Sequence, residues 1–163
     1  MVGHTFVNIT KIESNGTVVS ITAGMYPTPM GSSVSGNPVL SPATIVDNTD
    51  HYYNVSYTMN GITATGANNA LNALTRLSNG YYALTDVDVF PENNCSDCGI
   101  AVFNADVGSS FLPTNTTSFG DGALNLFFHV TPGSLGQYLR TINGVNTVPG
   151  TGPATTSCGG NTD

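Results

Sequence analysis

Phe6-Val7-Asn8-Ile9-Thr10-Lys11-Ile12, then Ser14-Asn15-Gly16, then Thr17-Val18-Val19-Ser20-Ile21-Thr22: this stretch reads as two β-strands joined by a tight turn. Both runs are rich in β-branched residues, whose restricted χ1 suits a pleated surface. Apolar and polar side chains alternate along them, so one face would be buried and the other wetted. Asn15-Gly16 tolerates the positive φ of a type I′ turn, whose twist matches that of a two-stranded ribbon. An N-terminal hairpin follows.

Outward from it the same signals recur. Asn60-Gly61, Asn79-Gly80 and Asn143-Gly144 each lie beside a strand-like run: Tyr52 to Met59, Tyr81 to Phe90 and Leu135 to Val148. Gly99 to Asn104 and Ala123 to Val130 are further strand candidates. Helical periodicity is confined to Ala67–Leu77, where Leu71, Leu74 and Leu77 recur, enough for a short helix or a loop with one turn. Tyr26 to Pro42 is a long loop rich in Pro, Gly and Ser, and the chain from Pro149 onward has little to bury. Roughly seven to nine short strands with frequent turns predict an all-β fold, a single β-sandwich or small barrel of immunoglobulin-like or jelly-roll-like type. Its boundaries are a domain over 1–148 and a flexible or partner-bound tail over 149–163, with the core in Tyr52 to Val130.

Composition limits what such a domain would bind. The 163 residues, 39% hydrophobic and only 8% charged, fit one domain covered mainly by Asn, Thr, Ser and Gly. Lys11, Arg76 and Arg140 face ten acidic residues, a net charge of −7, so no basic stripe for nucleic acid can be assembled. No basic flank precedes an apolar core at the start, and no apolar run approaches a membrane span. Strand edges in soluble monomers are usually guarded by Lys or Pro, and this chain has a single Lys. Its edges are expected to be closed by other subunits, as in a homo-oligomer.

Catalytic and metal chemistry find weak footholds. Cys95-Ser96-Asp97-Cys98 has the spacing of a metal knuckle or redox pair, but a zinc site would need Cys158 and the scattered His4, His51 and His129 to complete it. Read as a polar turn between strands, it is left as plain thiols or a local Cys95–Cys98 disulfide, with a disulfide involving Cys158 as the next alternative. Asp86 and Asp88, or Asp47-Asn48-Thr49-Asp50 with Asp121, offer oxygen ligands without matching a calcium loop. Ser33 and Ser35 do not form a nucleophile elbow, and no serine, histidine and carboxylate stand together. No cofactor, metal or catalytic residue is assigned. Tyr52, Tyr53, Tyr57, Tyr81 and Tyr82 leave open a carbohydrate-binding adhesin.

Between Tyr57 and Val130 stand Gly61-Ile62-Thr63-Ala64-Thr65, Asn68 to Ala73, Leu74-Thr75, Gly80-Tyr81-Tyr82-Ala83-Leu84 and Thr85-Asp86-Val87-Asp88. On these residues the chain resembles a β-sandwich module of tailed-phage virion proteins. The departure is Cys95 to Cys98, which intervenes where the module continues directly into a Gly-led strand. The resemblance implies a non-enzymatic virion protein, a capsid decoration or cement protein bound to the major capsid protein, or else a tail tube or fibre accessory subunit. The contacts to neighbours are then expected in the hairpin and the flanking segments, at Phe6, Ile9, Ile12, Tyr26, Pro27, Pro29, Met30, Pro149 and Pro153.

Overall fold

The hairpin forms, as strands β1 (Phe6–Ile12) and β2 (Val18–Pro27), in the register Phe6 opposite Gly24 through Ile12 opposite Val18. Its turn differs from type I′. Gly16 N donates to Glu13 O, Gly16 alone takes positive φ (84°), and Glu13 N donates to Thr17 O, which is a turn closed by a glycine bulge. The computed structural model describes residues 4–28, 41–82, 92–112, 114 and 130–153.

Strand β3 (Ser41–Asp47) pairs antiparallel with β2, and β4 (Tyr52–Tyr53) follows. Helix α1 (Ala64–Ser78) leads to β5 (Tyr81–Tyr82), β6 (Glu92–Asn93) and helix α2 (Cys95–Val107). Helix α3 (Pro132–Leu139) and strand β7 (Gly150–Thr151) complete the order. The main sheet runs β1-β2-β3-β5-β6, antiparallel except for the parallel β5–β6 pair, and β4 with β7 forms a separate ribbon.

The all-β expectation is therefore overturned: helices cover one face of the sheet. Val7, Ile9, Ile21, Ala23, Met25, Ala43 and Ile45 pack against Ala70, Ala73, Leu74 and Leu77 of α1 and Cys95, Cys98 and Val102 of α2. The other side of α2 buries Ile100 against Val130 and Leu135, with Phe103 and Tyr138 alongside. The hairpin thus helps to build the core that was expected in Tyr52 to Val130 alone.

Each misread segment has a local cause. Gly99 to Asn104 lies inside α2, whose start is fixed by a reciprocal cap: Asn94 Oδ1 accepts from Ser96 N (2.7 Å) and Asp97 N (3.1 Å), and Asn94 N donates to Asp97 Oδ2 (3.0 Å). Leu135 to Leu139 belongs to α3, opened by Thr131 and Ser134 in a second reciprocal cap with Pro132 in the first turn. The resemblance implied a strand and a connection over Gly61 to Ala73. Thr63 instead caps α1, its hydroxyl accepting from Gly66 N (3.1 Å). Tyr52 to Met59 contributes only β4 and a single bridge, Ser56 to Asn146. Ala83 to Phe90 and Ala123 to His129 lie outside the described residues.

Gly66 sits where α1 packs against the end of α2. A Cβ there would run into the Asp106 carbonyl oxygen and come within 2.7 Å of Ile62 Cγ2. Alanine is the better helix former by about 1 kcal/mol, but forcing the helices apart costs about 1–3 kcal/mol. Gly66→Ala is expected to lower the urea midpoint; an unchanged or raised midpoint would contradict this packing.

Candidate functional site

The residues expected at contacts to neighbours separate into different environments. Ile9 packs against the core, and Pro27 is buried at the end of β2. The Phe6 ring meets Tyr53 edge-on at 6.1 Å, and Tyr26 joins a polar cluster described below. Pro29 and Met30 lie outside the described residues. Pro149 and Pro153 are exposed, but Pro153 is held: its carbonyl accepts from Thr22 Oγ1 at 2.6 Å. Among the described members of the set Ile12 alone presents a large apolar surface, 72% exposed, and its cross-strand partner Val18 is 50% exposed. Together they form an apolar end on the hairpin, next to the Lys11–Glu13 ion pair.

Cys95-Ser96-Asp97-Cys98 is the first turn of α2, in place of the expected polar turn between strands. Both thiols are free and buried in the main core. Burial pushes the Cys98 thiol up to about 12, with Cys95 and Asp97 adding to it. Cys95 is also raised by burial, against the bonds it receives from the Thr5 backbone, Tyr82 and Ser96. A helix N-terminus ordinarily favours the thiolate. Desolvation outweighs that here, so the pair behaves as core packing.

A second polar group was not foreseen in the sequence. His4, Tyr26, Asn48 and His51 converge on the sheet face away from the helices. Asn48 Nδ2 donates to Tyr26 Oη (2.7 Å) and lies 2.7 Å from His51 Nδ1, while the His4 ring lies tilted by 32° against Tyr26 at 4.4 Å and stands 6.3 Å from His51. Asn48 is fully buried, and its Oδ1 and the His4 Nε2 end without a hydrogen-bond partner among the described residues. The available signal was Asp47-Asn48-Thr49-Asp50, read as possible cation ligands. Asp47 Oδ1 is instead occupied by Thr49 N (2.8 Å) and Thr49 Oγ1 (2.7 Å).

Among the described residues no three His, Cys, Asp or Glu side chains come together as a metal site, and no helix is long and apolar enough to cross a membrane. Asp86, Asp88, Asp121, His129 and Cys158 lie outside the described residues. A comparison with family models, with curated proteins and with solved structures finds no match.

Two outcomes follow from this chemistry. In a Cys158→Ser background, Cys95 and Cys98 should react with a thiol reagent on the order of a hundredfold more slowly in the native protein than in denaturant. Comparable rates would place them at the surface. Burial holds the His4 imidazole down to about 4 from 6.5, with His51 adding to the depression and Asn48 counteracting it in part. The folded state thus resists a proton that the unfolded chain accepts, so stability present above pH 6.5 is lost as pH falls toward 4. Full burial would make this about 3 kcal/mol, and the ring's remaining solvent access reduces it to about 1–2 kcal/mol. Asp106, raised by burial, works in the opposite sense. Comparing His4→Gln with the parent isolates the histidine: urea titrations from pH 7 to 4 should show a flatter loss in the variant, and equal slopes would remove His4 as the cause.

Proposed function

We propose that the protein is a non-catalytic structural subunit of a larger assembly, a decoration protein on the capsid of a tailed bacteriophage with the major capsid protein as its neighbour. The observation that carries the reading is the apolar Ile12–Val18 pair at the hairpin end, set on a body with few charges. Two apolar side chains this exposed at one place support a surface for another protein to cover. The bacteriophage particle is named on the resemblance of Tyr57 to Val130. Much of that resemblance lies on α1, so the surface supports the proposal better than the fold of the module does. Shape and apolar contact suit this interface, because three basic residues cannot build it from ion pairs.

A carbohydrate-binding adhesin draws on the Tyr57–Phe111 ring pair, stacked at 5.4 Å with Phe103 beside it. Sugar recognition also needs free donors and acceptors around the platform. The Asn104 amide next to it is spent on both backbone groups of Leu112. The assembly reading is therefore preferred.

The test is the double variant Ile12→Ser with Val18→Ser. Both side chains are exposed, so the thermal midpoint should stay within a few degrees. Losing burial worth about 2 kcal/mol would weaken binding to capsids roughly thirtyfold in co-sedimentation. A folded double variant that decorates particles as tightly as the parent would sink the proposal.

A further inference from the structure

The chain expected to leave the domain at Pro149 turns back onto it. Gly150 and Thr151 pair with Tyr53 and Tyr52, Gly152 N donates to His51 O (2.8 Å), and Asp50 N donates to Gly152 O (3.0 Å). Thr22 Oγ1 then holds the Pro153 carbonyl. The seat is cut for backbone alone. A Cβ at Gly152 would stand 2.5 Å from Asn48 O, 3.0 Å from Thr22 Cγ2 and 3.2 Å from Phe6 Cε2, and one at Gly150 would stand 2.6 Å from Tyr53 Oη. Thr151 and Pro153 are exposed, so this strap contributes no buried apolar side chain.

A segment held only by hydrogen bonds barely offsets the entropy of ordering it, and it opens readily. The connection that would act as the hinge runs from Thr147 to Pro149, after the Ser56–Asn146 bridge. Pro149 fixes φ there and stiffens the return. Tyr52 and Val148, 70% and 67% exposed, flank the seat and the hinge. Two large apolar side chains left in water, one opposite the strap and one within its hinge, offer surface that a neighbouring copy would cover.

We infer that the strap Gly150 to Pro153 is exchanged between copies of this chain, each seat being filled by the strap of an adjacent subunit. The exchanged strap makes the same contacts as in its own chain, so the balance is set by concentration. Subunits held side by side in a particle meet at an effective concentration in the millimolar range. The hinge reaches at most about 10 Å when extended, so the two seats must be neighbours and their Tyr52 and Val148 side chains would be covered together. This rests on the reading of the chain as an assembly subunit and names its partner.

Tyr52 and Thr151 stand directly opposite, a placement that a disulfide can span. Two full-length variants, Tyr52→Cys and Thr151→Cys, each also carrying Cys158→Ser, are mixed and oxidised with glutathione disulfide. The expected product is a covalent heterodimer joining position 52 of one chain to position 151 of the other, with a yield that rises with protein concentration. Gly152→Val, which cannot enter the seat, should abolish it. The control carries both cysteines in one chain and should close an internal bridge in dilute solution. An internal bridge with no heterodimer at any concentration overturns the exchange. Absence of both bridges overturns the seat itself. Because the bridge is read on isolated protein, its failure is separable from failure of the hairpin variant to lose capsid binding.

Discussion

The reciprocal cap between Asn94 and Asp97 is the constraint on which the rest of the structure depends. It fixes where α2 begins, and α2 is the element with buried side chains on both sides, facing the sheet through Cys98 and Val102 and α3 through Ile100. The Asn94 side chain also donates to Val130 O at 3.1 Å, which ties the start of α2 to the chain entering α3. One amide therefore satisfies the open end of a helix and holds together two apolar clusters. Buried donors left open at that point would cost a few kcal/mol, a large share of the stability of a domain this size.

Placing both α1 and α2 on one face leaves the other face of the sheet to be satisfied by polar groups. Asn8, Thr10, Ser20 and Thr22 do this across the first two strands: Asn8 Nδ2 donates to Ser20 Oγ (2.6 Å) and Thr22 Oγ1 (2.8 Å), and Thr10 Oγ1 donates to Asn8 Oδ1 (2.7 Å). The cluster around Asn48 continues the same face toward β3. Neutral amides and hydroxyls can line such a surface without the desolvation cost of charges, which accounts for a chain poor in ions and rich in Asn and Thr. The cost falls on His4, kept unprotonated because its ring is enclosed.

The hairpin was legible because its alternation and its turn agree, and α1 was partly legible because Leu74 and Leu77 recur on a helix with one wet side. α2 was not. Ile100 and Val102 are buried and Phe103 partly so, spread around the helix, and a helix apolar on both sides has no amphipathic period to betray it. Its residues then match a buried strand equally well. The caps at Asn94 and Thr131 went unread, because capping signals carry weight only once a helix is under consideration. Asn-Gly misled in the opposite direction. It joins two strands at Gly16, but Asn79 ends α1 and Gly144 turns the chain after α3, because the pair supplies a sharp reversal wherever one is needed. The polar cluster was invisible for a different reason: His4 and His51 are brought together only by the pairing of three strands.

Low charge and tight backbone packing bear together on how the molecule recognises anything. Surface ion pairs would be screened by salt and contribute little, and this chain scarcely offers them. What remains is the apolar hairpin end and a seat that accepts only a chain segment without side chains at Gly150 and Gly152. A hydrophobic contact has little directional preference, so in the proposed assembly Ile12 and Val18 would supply adhesion without dictating an angle. The seat does the reverse: its hydrogen bonds are directional and its space excludes a Cβ, so it fixes orientation while adding little net affinity. The proposed assembly of many identical copies would need both properties, and the two features that would supply them lie in separate parts of the chain, one at the end of the first hairpin and the other against the ribbon of β4 and β7.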